Sequence, residues 1–223
     1  MLRRYLPPLL FGLIGCAILI SLGLWQLQRL AWKEALLDGI SARLNDTPVA
    51  LPAAPDPAVD QYLPVTVTGR FTGAGIDVLA GLKGRGPGYR IVAAFQTADG
   101  RAILVDRGFL PESQRAAPRQ ATTVTITGTL HWPNESDSFT PAPDTARNIW
   151  FARDVPAMAR ALGTGPVMVV ARSDTGDGIM PVPVDTAGIP NDHLNYALTW
   201  FGLAVVWAGM TGLLLWRIRR RTI

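Results

Sequence analysis

Two histidines and one cysteine are the only imidazole and thiol groups in the 223 residues, so the ligand chemistry open to this chain is narrow. His193 follows the turn-forming run Ile189-Pro190-Asn191-Asp192 and opens a long uncharged segment. A neutral imidazole in such a place can bind haem iron. Trp25, Arg29 and Lys33 are spaced by four and share one face of a helix. His193, Tyr196, Trp200 and Trp207 follow a second helical stripe, with Ala204 filling its gap. Arginine or lysine pairs with propionates, and aromatic side chains cover a macrocycle. The competing reading is interfacial. Tryptophan and tyrosine belong to the belts at a membrane surface, Arg29 and Lys33 suit lipid headgroups, and His193 suits a polar helix start beside Asp192. The residue types alone leave both readings open.

Other chemistries find less support. His131 stands in Leu130-His131-Trp132-Pro133, where an exposed or hydrogen-bonded place at a strand end is expected. No GxSxG is present, and neither histidine has a serine partner nearby in sequence. Cys16 lies inside an apolar run, and no CxxC pair or Cys/His spacing suggests a dedicated zinc or copper site. Lys83-Gly84-Arg85-Gly86-Pro87-Gly88 is basic and glycine-rich but lacks the GxxxxGK[ST] order, so a hairpin loop is expected. An enzyme is not expected. The net charge is +4, yet the arginines cluster beside apolar segments. That is an orientation signal for a membrane, and no nucleic-acid partner is expected.

The elements that must position these residues begin with two spans. Tyr5 to Gln28 holds 24 uncharged positions and Leu194 to Trp216 holds 23, where a bilayer needs about 20 helical residues. The first is too long for a cleaved signal peptide and lacks a small-x-small site, so it reads as an anchor. The expected organisation is a spanning helix at 5–28, an extramembrane domain at 29–192, a second spanning helix at 193–216 and a basic tail at 217–223. Arg3 and Arg4 precede the first span, and Arg217, Arg219, Arg220 and Arg221 follow the second, with no acid among them. Both termini are therefore expected in the cytoplasm and the large domain outside. Close helix packing is expected through small residues: Gly12 with Cys16, Ala17 with Ser21, and a stripe of Ala204, Ala208 and Gly212.

The domain between the spans reads as β-rich. Strands are expected near 65–71, 76–79, 89–96, 102–105, 122–130 and 167–171, rich in valine, isoleucine, threonine and aromatics between Gly, Pro and Asp. One short helix fits Asp154–Leu162, with Asp154 as cap and Pro156 in its first turn. Residues 45–60 and 173–188 read as connectors. The expected fold class is membrane α + β, two transmembrane helices flanking an antiparallel barrel or sandwich-like domain.

Four blocks carry a family resemblance. Leu22-Gly23-Leu24-Trp25-Gln26-Leu27-Gln28-Arg29-Leu30-Ala31-Trp32-Lys33 resembles an LGxWQxxRxxWK pattern. Tyr62, Val65, Val67, Gly69 and Phe71 follow, then Val105-Asp106-Arg107-Gly108-Phe109-Leu110-Pro111. Next come Gly128, Phe139-Thr140-Pro141, Asn148 and Trp150, and last Pro190-Asn191-Asp192-His193-Leu194-Asn195-Tyr196-Ala197-Leu198-Thr199-Trp200-Phe201. In this order they resemble the Surfeit-locus family of cytochrome c oxidase assembly factors over nearly the whole chain. Asp106, Phe109 and Asp192 depart from the family's usual Asn, Trp and Asn. The resemblance implies an assembly factor that assists delivery of haem a to subunit I of a haem-copper oxidase. It also implies subunit I and other assembly factors as partners beside membrane lipid. The alternative is a haem-independent scaffold for an assembly intermediate. The family histidine corresponds to His193, the implied ligand of haem iron, while Arg29, Trp25, Trp32 and Trp200 are carried over as residues that line the site. The implied location is a bacterial inner membrane, or the equivalent membrane of a mitochondrion.

Overall fold

A run of uncharged residues satisfies its backbone only by forming a helix where water is absent, and both apolar runs do so. The computed structural model describes residues 2–220, with side chains from Arg4 to Arg220. Arg3 of the first basic flank and Arg221 of the second lie outside the described side chains. Helix α1 covers Leu2–Leu44 and helix α4 covers His193–Arg220. Both are long and apolar enough to cross a membrane. With 43 residues, α1 is about 65 Å long, roughly twice the ~30 Å hydrocarbon core, so it continues well past a span.

The chain divides into two compact units. One holds residues 1–39 and 186–223, in which α1 and α4 run antiparallel. Glycines set their approach. A Cβ on Gly12 would lie 2.2 Å from Thr211 Cγ2, one on Gly15 2.2 Å from Trp207 Nε1, and one on Gly23 2.5 Å from Phe201 Cε1. Ala197 and Ala204 are buried on the facing side, and the Cys16 thiol reaches the Ala204 carbonyl at 3.8 Å. Of the expected small-residue stripe on α4 only Ala204 faces α1, while Ala208 and Gly212 are exposed. The contact stripe instead runs Ala197, Phe201, Ala204, Trp207 and Thr211, in steps of three or four, as helices crossing at a shallow angle require. On α1, Gly12 and Cys16 lie on the contact face, whereas Ala17 and Ser21 are exposed.

The second unit, residues 40–185, is built on one sheet. Its elements are β1 (Val49–Ala50), α2 (Pro57–Asp60), β2 (Pro64–Leu82), β3 (Gly86–Thr97), β4 (Ala102–Pro111), β5 (Thr123–Leu130), β6 (Ile149–Trp150), α3 (Val155–Leu162) and β7 (Met168–Ala171). The expected strands at 65–71 and 76–79 are one strand, β2, interrupted by a bulge between Phe71 and Gly75 where Gly73 has φ +87°. Strand β2 pairs with β3 over its second part and with β5 over its first. Strand β4 pairs with β3 and β7, and β7 with β5, so the pairings form a closed ring. The ring is mixed, not antiparallel throughout: β4–β7 is parallel, as are the short β1 and β6 on β2. Helix α3 accounts for that, because it is the crossover that brings the chain from the β6 side back to β4 in the parallel sense.

Alternation decides the layers. Val65, Val67, Phe71, Ala93, Phe95, Ile103, Val105, Ile126, Leu130, Val169 and Ala171 form one core drawn from all five ring strands. The neighbouring residues Val92, Leu104 and Met168 point the other way, into a second core with Val155, Met158 and Ala159 of α3. Strands covered on both faces read as continuous apolar runs, which β3, β4 and β7 do. Helix α3 starts as expected: Asp154 accepts from the Ala157 N–H at 2.9 Å, and Gly163 ends it at φ +67°.

Candidate functional site

Asp192 precedes α4, and its carbonyl accepts the Tyr196 N–H at 3.1 Å, which makes His193 the first residue inside the helix. This is the polar helix start expected for it. Its ring, however, also has a partner across the helix pair. His193 Nδ1–H donates to Gln26 Oε1 at 2.8 Å. Gln26 is 9% exposed and lies on the face of α1 that meets α4, three residues on from Gly23. In the neutral ring, a carbonyl acceptor at Nδ1 places the proton there and leaves the lone pair on Nε2. A carbonyl that accepts from one ring nitrogen is how proteins orient the other toward a metal.

The four companion residues divide into two places. Arg29 holds its guanidinium 4.7 Å from the centroid of Trp32, a cation–π pair on α1. Trp25 is 52% and Trp32 54% exposed. These three recur at steps of four and three and so line one outward stripe of α1, beside the face that carries Gln26. Lys33 is half-buried and lies off that stripe, on the Gln26 side. On α4, Trp200 is half-buried near the contact face, whereas Tyr196 is 56% exposed. The described hydrogen bonds and ring contacts thus join His193 to Gln26 and Arg29 to Trp32, and do not join the two pairs to each other. Sequence reasoning missed Gln26, because it searched the span for charge and not for an amide. The signal was there: a glutamine in an apolar helix needs a partner.

The other histidine is arranged in the opposite sense. Gln61 accepts the Trp132 N–H at 2.9 Å through Oε1, which turns its amide nitrogen toward His131 Nδ1 at 3.1 Å. His131 Nδ1 is therefore the acceptor. The ring stacks on Tyr62 at 5.5 Å. Burial, aided by the nearby Arg153 cation, pushes its pKa down to about 4. This is the hydrogen-bonded strand-end residue expected.

Beside it lies a buried ionic cluster. Asp106, fully buried on β4, accepts from Arg90 Nε at 2.9 Å and Nη2 at 2.7 Å, and from Arg153 Nη1 at 2.9 Å. Its other oxygen takes the Gly108 N–H at 3.1 Å. Arg153 also grips Glu135; burial alone would raise that carboxyl, but the Arg153 guanidinium holds it below its usual value. Arg107 is the extra residue of a bulge opposite Ile91 and Val92. The bulge turns its side chain inward, 4.3 Å from the Phe71 ring centroid, to donate to the Thr175 carbonyl at 2.7 Å and to Asp177 at 2.8 Å. Gly108 follows at φ +118°, where a Cβ would meet the Met180 carbonyl oxygen at 2.0 Å. The Arg-Gly pair is thus architectural. Residues 83–85 of the glycine-rich run are the β2–β3 hairpin loop, with Arg85 N–H closing on the Leu82 carbonyl at 2.9 Å, and residues 86–88 open β3.

The WQxxR block holds the partner of His193 on α1, the Arg-Gly block makes the bulge, and the Pro-Asn-Asp-His block starts α4. Residues 13–205, which contain all three blocks, match the model of the SURF1 family. The chain belongs to the SURF1 family. A SURF1-like protein of Rickettsia felis is 33% identical over 205 residues, covering 86% of this chain and 90% of that one. The SURF1-like protein of Monosiga brevicollis is 32% identical over 213 residues, covering 86% and 82%. Surfeit locus protein 1 of Xenopus tropicalis is 29% identical over 209 residues, covering 82% and 67%. The matched region in the SURF1-family chain runs from the first span through the whole sheet unit into α4.

Proposed function

We propose that this chain serves in the assembly of haem-copper cytochrome c oxidase, where it holds haem a on the way to subunit I. Family membership supports the assembly role. The observation that carries the haem reading is the His193–Gln26 hydrogen bond, which reserves the Nε2 lone pair for a ligand. When bound, haem would supply an iron that an imidazole nitrogen can hold. His193 would hold it through Nε2, and Gln26 would orient the ring. Arg29 carries the charge for a propionate, and Trp25, Trp32 and Trp200 offer apolar faces to the macrocycle. The residues present fit such a group. Subunit I and other assembly factors are the proposed partners. The basic flanks, Arg4 on one side and Arg217, Arg219 and Arg220 on the other, support a bacterial inner-membrane protein with both termini in the cytoplasm and the sheet unit in the periplasm.

The test is haem a co-purification with the full chain from cells that make oxidase. His193→Ala should abolish the bound pigment and its optical spectrum. Gln26→Leu should keep the ligand but lose its orientation, lowering occupancy by about 10-fold or more. Unchanged pigment in His193→Ala defeats the ligand assignment. If that variant still co-purifies subunit I, the chain is the haem-independent scaffold instead.

A further inference from the structure

The geometry points to a site for one anionic phospholipid on the helix pair, at the end remote from His193. A cavity of about 310 Å³ opens between α1 and α4, lined by Pro8 and Phe11 on one side and Trp207, Met210, Leu214 and Arg217 on the other. Its walls are mostly apolar: the Thr211 hydroxyl is turned to the Trp207 carbonyl at 2.8 Å, and the one charged group is the Arg217 guanidinium. One limit is the Phe11–Trp207 ring pair, with centroids 5.1 Å apart. Gly12 against Thr211 brings the helices together at the same level. Arg217 lies at the other limit. An apolar groove that ends on a guanidinium has the polarity of an acyl chain that ends on a phosphate.

Charge identifies the occupant further. Arg217 has no hydrogen-bond or ion-pair partner among the described residues, whereas Arg220 stacks on Trp216 at 3.9 Å. The chain supplies none nearby, because no Asp or Glu occurs before Glu34 or after Asp192. No acidic side chain near either helix end competes for Arg217, which leaves its guanidinium open to an anionic headgroup. Arginine takes phosphate oxygens bidentately, and basic pockets between spanning helices select anionic headgroups. The site is separate from the proposed haem position: Arg217 is 24 residues beyond His193, about 36 Å along α4.

The experiment uses the full chain in mild detergent, with phosphatidylglycerol and phosphatidylcholine of matched chains, read by native mass spectrometry. The wild type should retain one phosphatidylglycerol in clear preference to phosphatidylcholine. Arg217→Gln should lower that preference about five- to tenfold. Leu214→Trp, which fills the groove, should lower retention of both lipids. Arg219→Gln, one residue pair along but off the groove, should leave the preference as it is. Equal retention of the two lipids by the wild type, or equal effects of Arg217→Gln and Arg219→Gln, overturns the proposal. Haem a content of Arg217→Gln is expected to be unchanged, which keeps this result independent of the haem reading.

Discussion

Asp106→Asn is the most informative single change in the sheet unit, because it removes the one charge that a fully buried side chain sets against two arginines. One carboxylate oxygen of Asp106 serves Arg90 and Arg153, and the other serves the Gly108 N–H. Asparagine has one oxygen. If it faces the arginines, its NH2 meets the Gly108 donor; if it faces Gly108, its NH2 meets two guanidinium groups. An unpaired buried donor costs about 1–3 kcal/mol, and removing the counter-charge of a buried pair costs up to about 3–5 kcal/mol. Arg90 retains the Val182 carbonyl at 3.1 Å and Arg153 retains Glu135, so part of that loss is recovered. The expected total is about 2–4 kcal/mol. At about 2–4 °C per kcal/mol for a chain of this size, the near-ultraviolet melting midpoint of the purified protein should fall by roughly 4–16 °C. Arg153→Met in the same background should be less harmful than in the wild type, with a coupling of at least about 1 kcal/mol. A midpoint unchanged by Asp106→Asn, or strictly additive effects in the cycle, would refute the reasoning.

Three further outcomes are expected. Gly23→Leu should push Phe201 away and weaken the helix pair by about 1–3 kcal/mol; oxidative cross-linking of Cys16 to a cysteine introduced by Ala204→Cys should then slow by roughly tenfold, and an unchanged rate would sink the packing account. Gly108→Ala should prevent the Phe109–Met180 bridge, since φ +118° and a carbonyl at 2.0 Å both exclude a side chain, and limited proteolysis should then cut within residues 173–185. His131 is neutral in the folded chain down to about pH 4 but takes a proton near pH 6.5 when unfolded. The stability tied to it is therefore present above pH 6.5 and lost as the pH falls toward 4. His131→Gln should flatten the pH dependence of the midpoint over that window, and a wild-type-minus-variant difference that ignores pH would contradict it.

What the sequence made legible was whatever depends on local pattern. The two helices follow from uncharged runs, α3 from the Asp154 cap, and the hairpin at 83–88 from its glycines. Alternation found the strands but split β2, because Gly73 and its neighbours read as a stop when they are a bulge. The parallel place of β7 was not legible, since which strand it joins depends on where α3 leaves the chain. The same limit applies to the site. His193 was conspicuous by rarity and position, but Gln26 became visible only once the rotation of α1 against α4 was known. Ala208 and Gly212 misled for that reason too: their spacing is regular, and the rotation turns them outward.

The closed ring of pairings sets an order on synthesis. Strand β2 is the shared stave, paired with both β3 and β5, yet β7 must fill the gap between β4 and β5. No nascent chain that ends before Ala171 can close the ring, so until then β4 and β5 each present a bare edge. Closure waits on the last strand made, only 21 residues before α4 begins. Ribosome-bound chains that stop short of residue 171 should accordingly need a holding factor, and those that pass it should not.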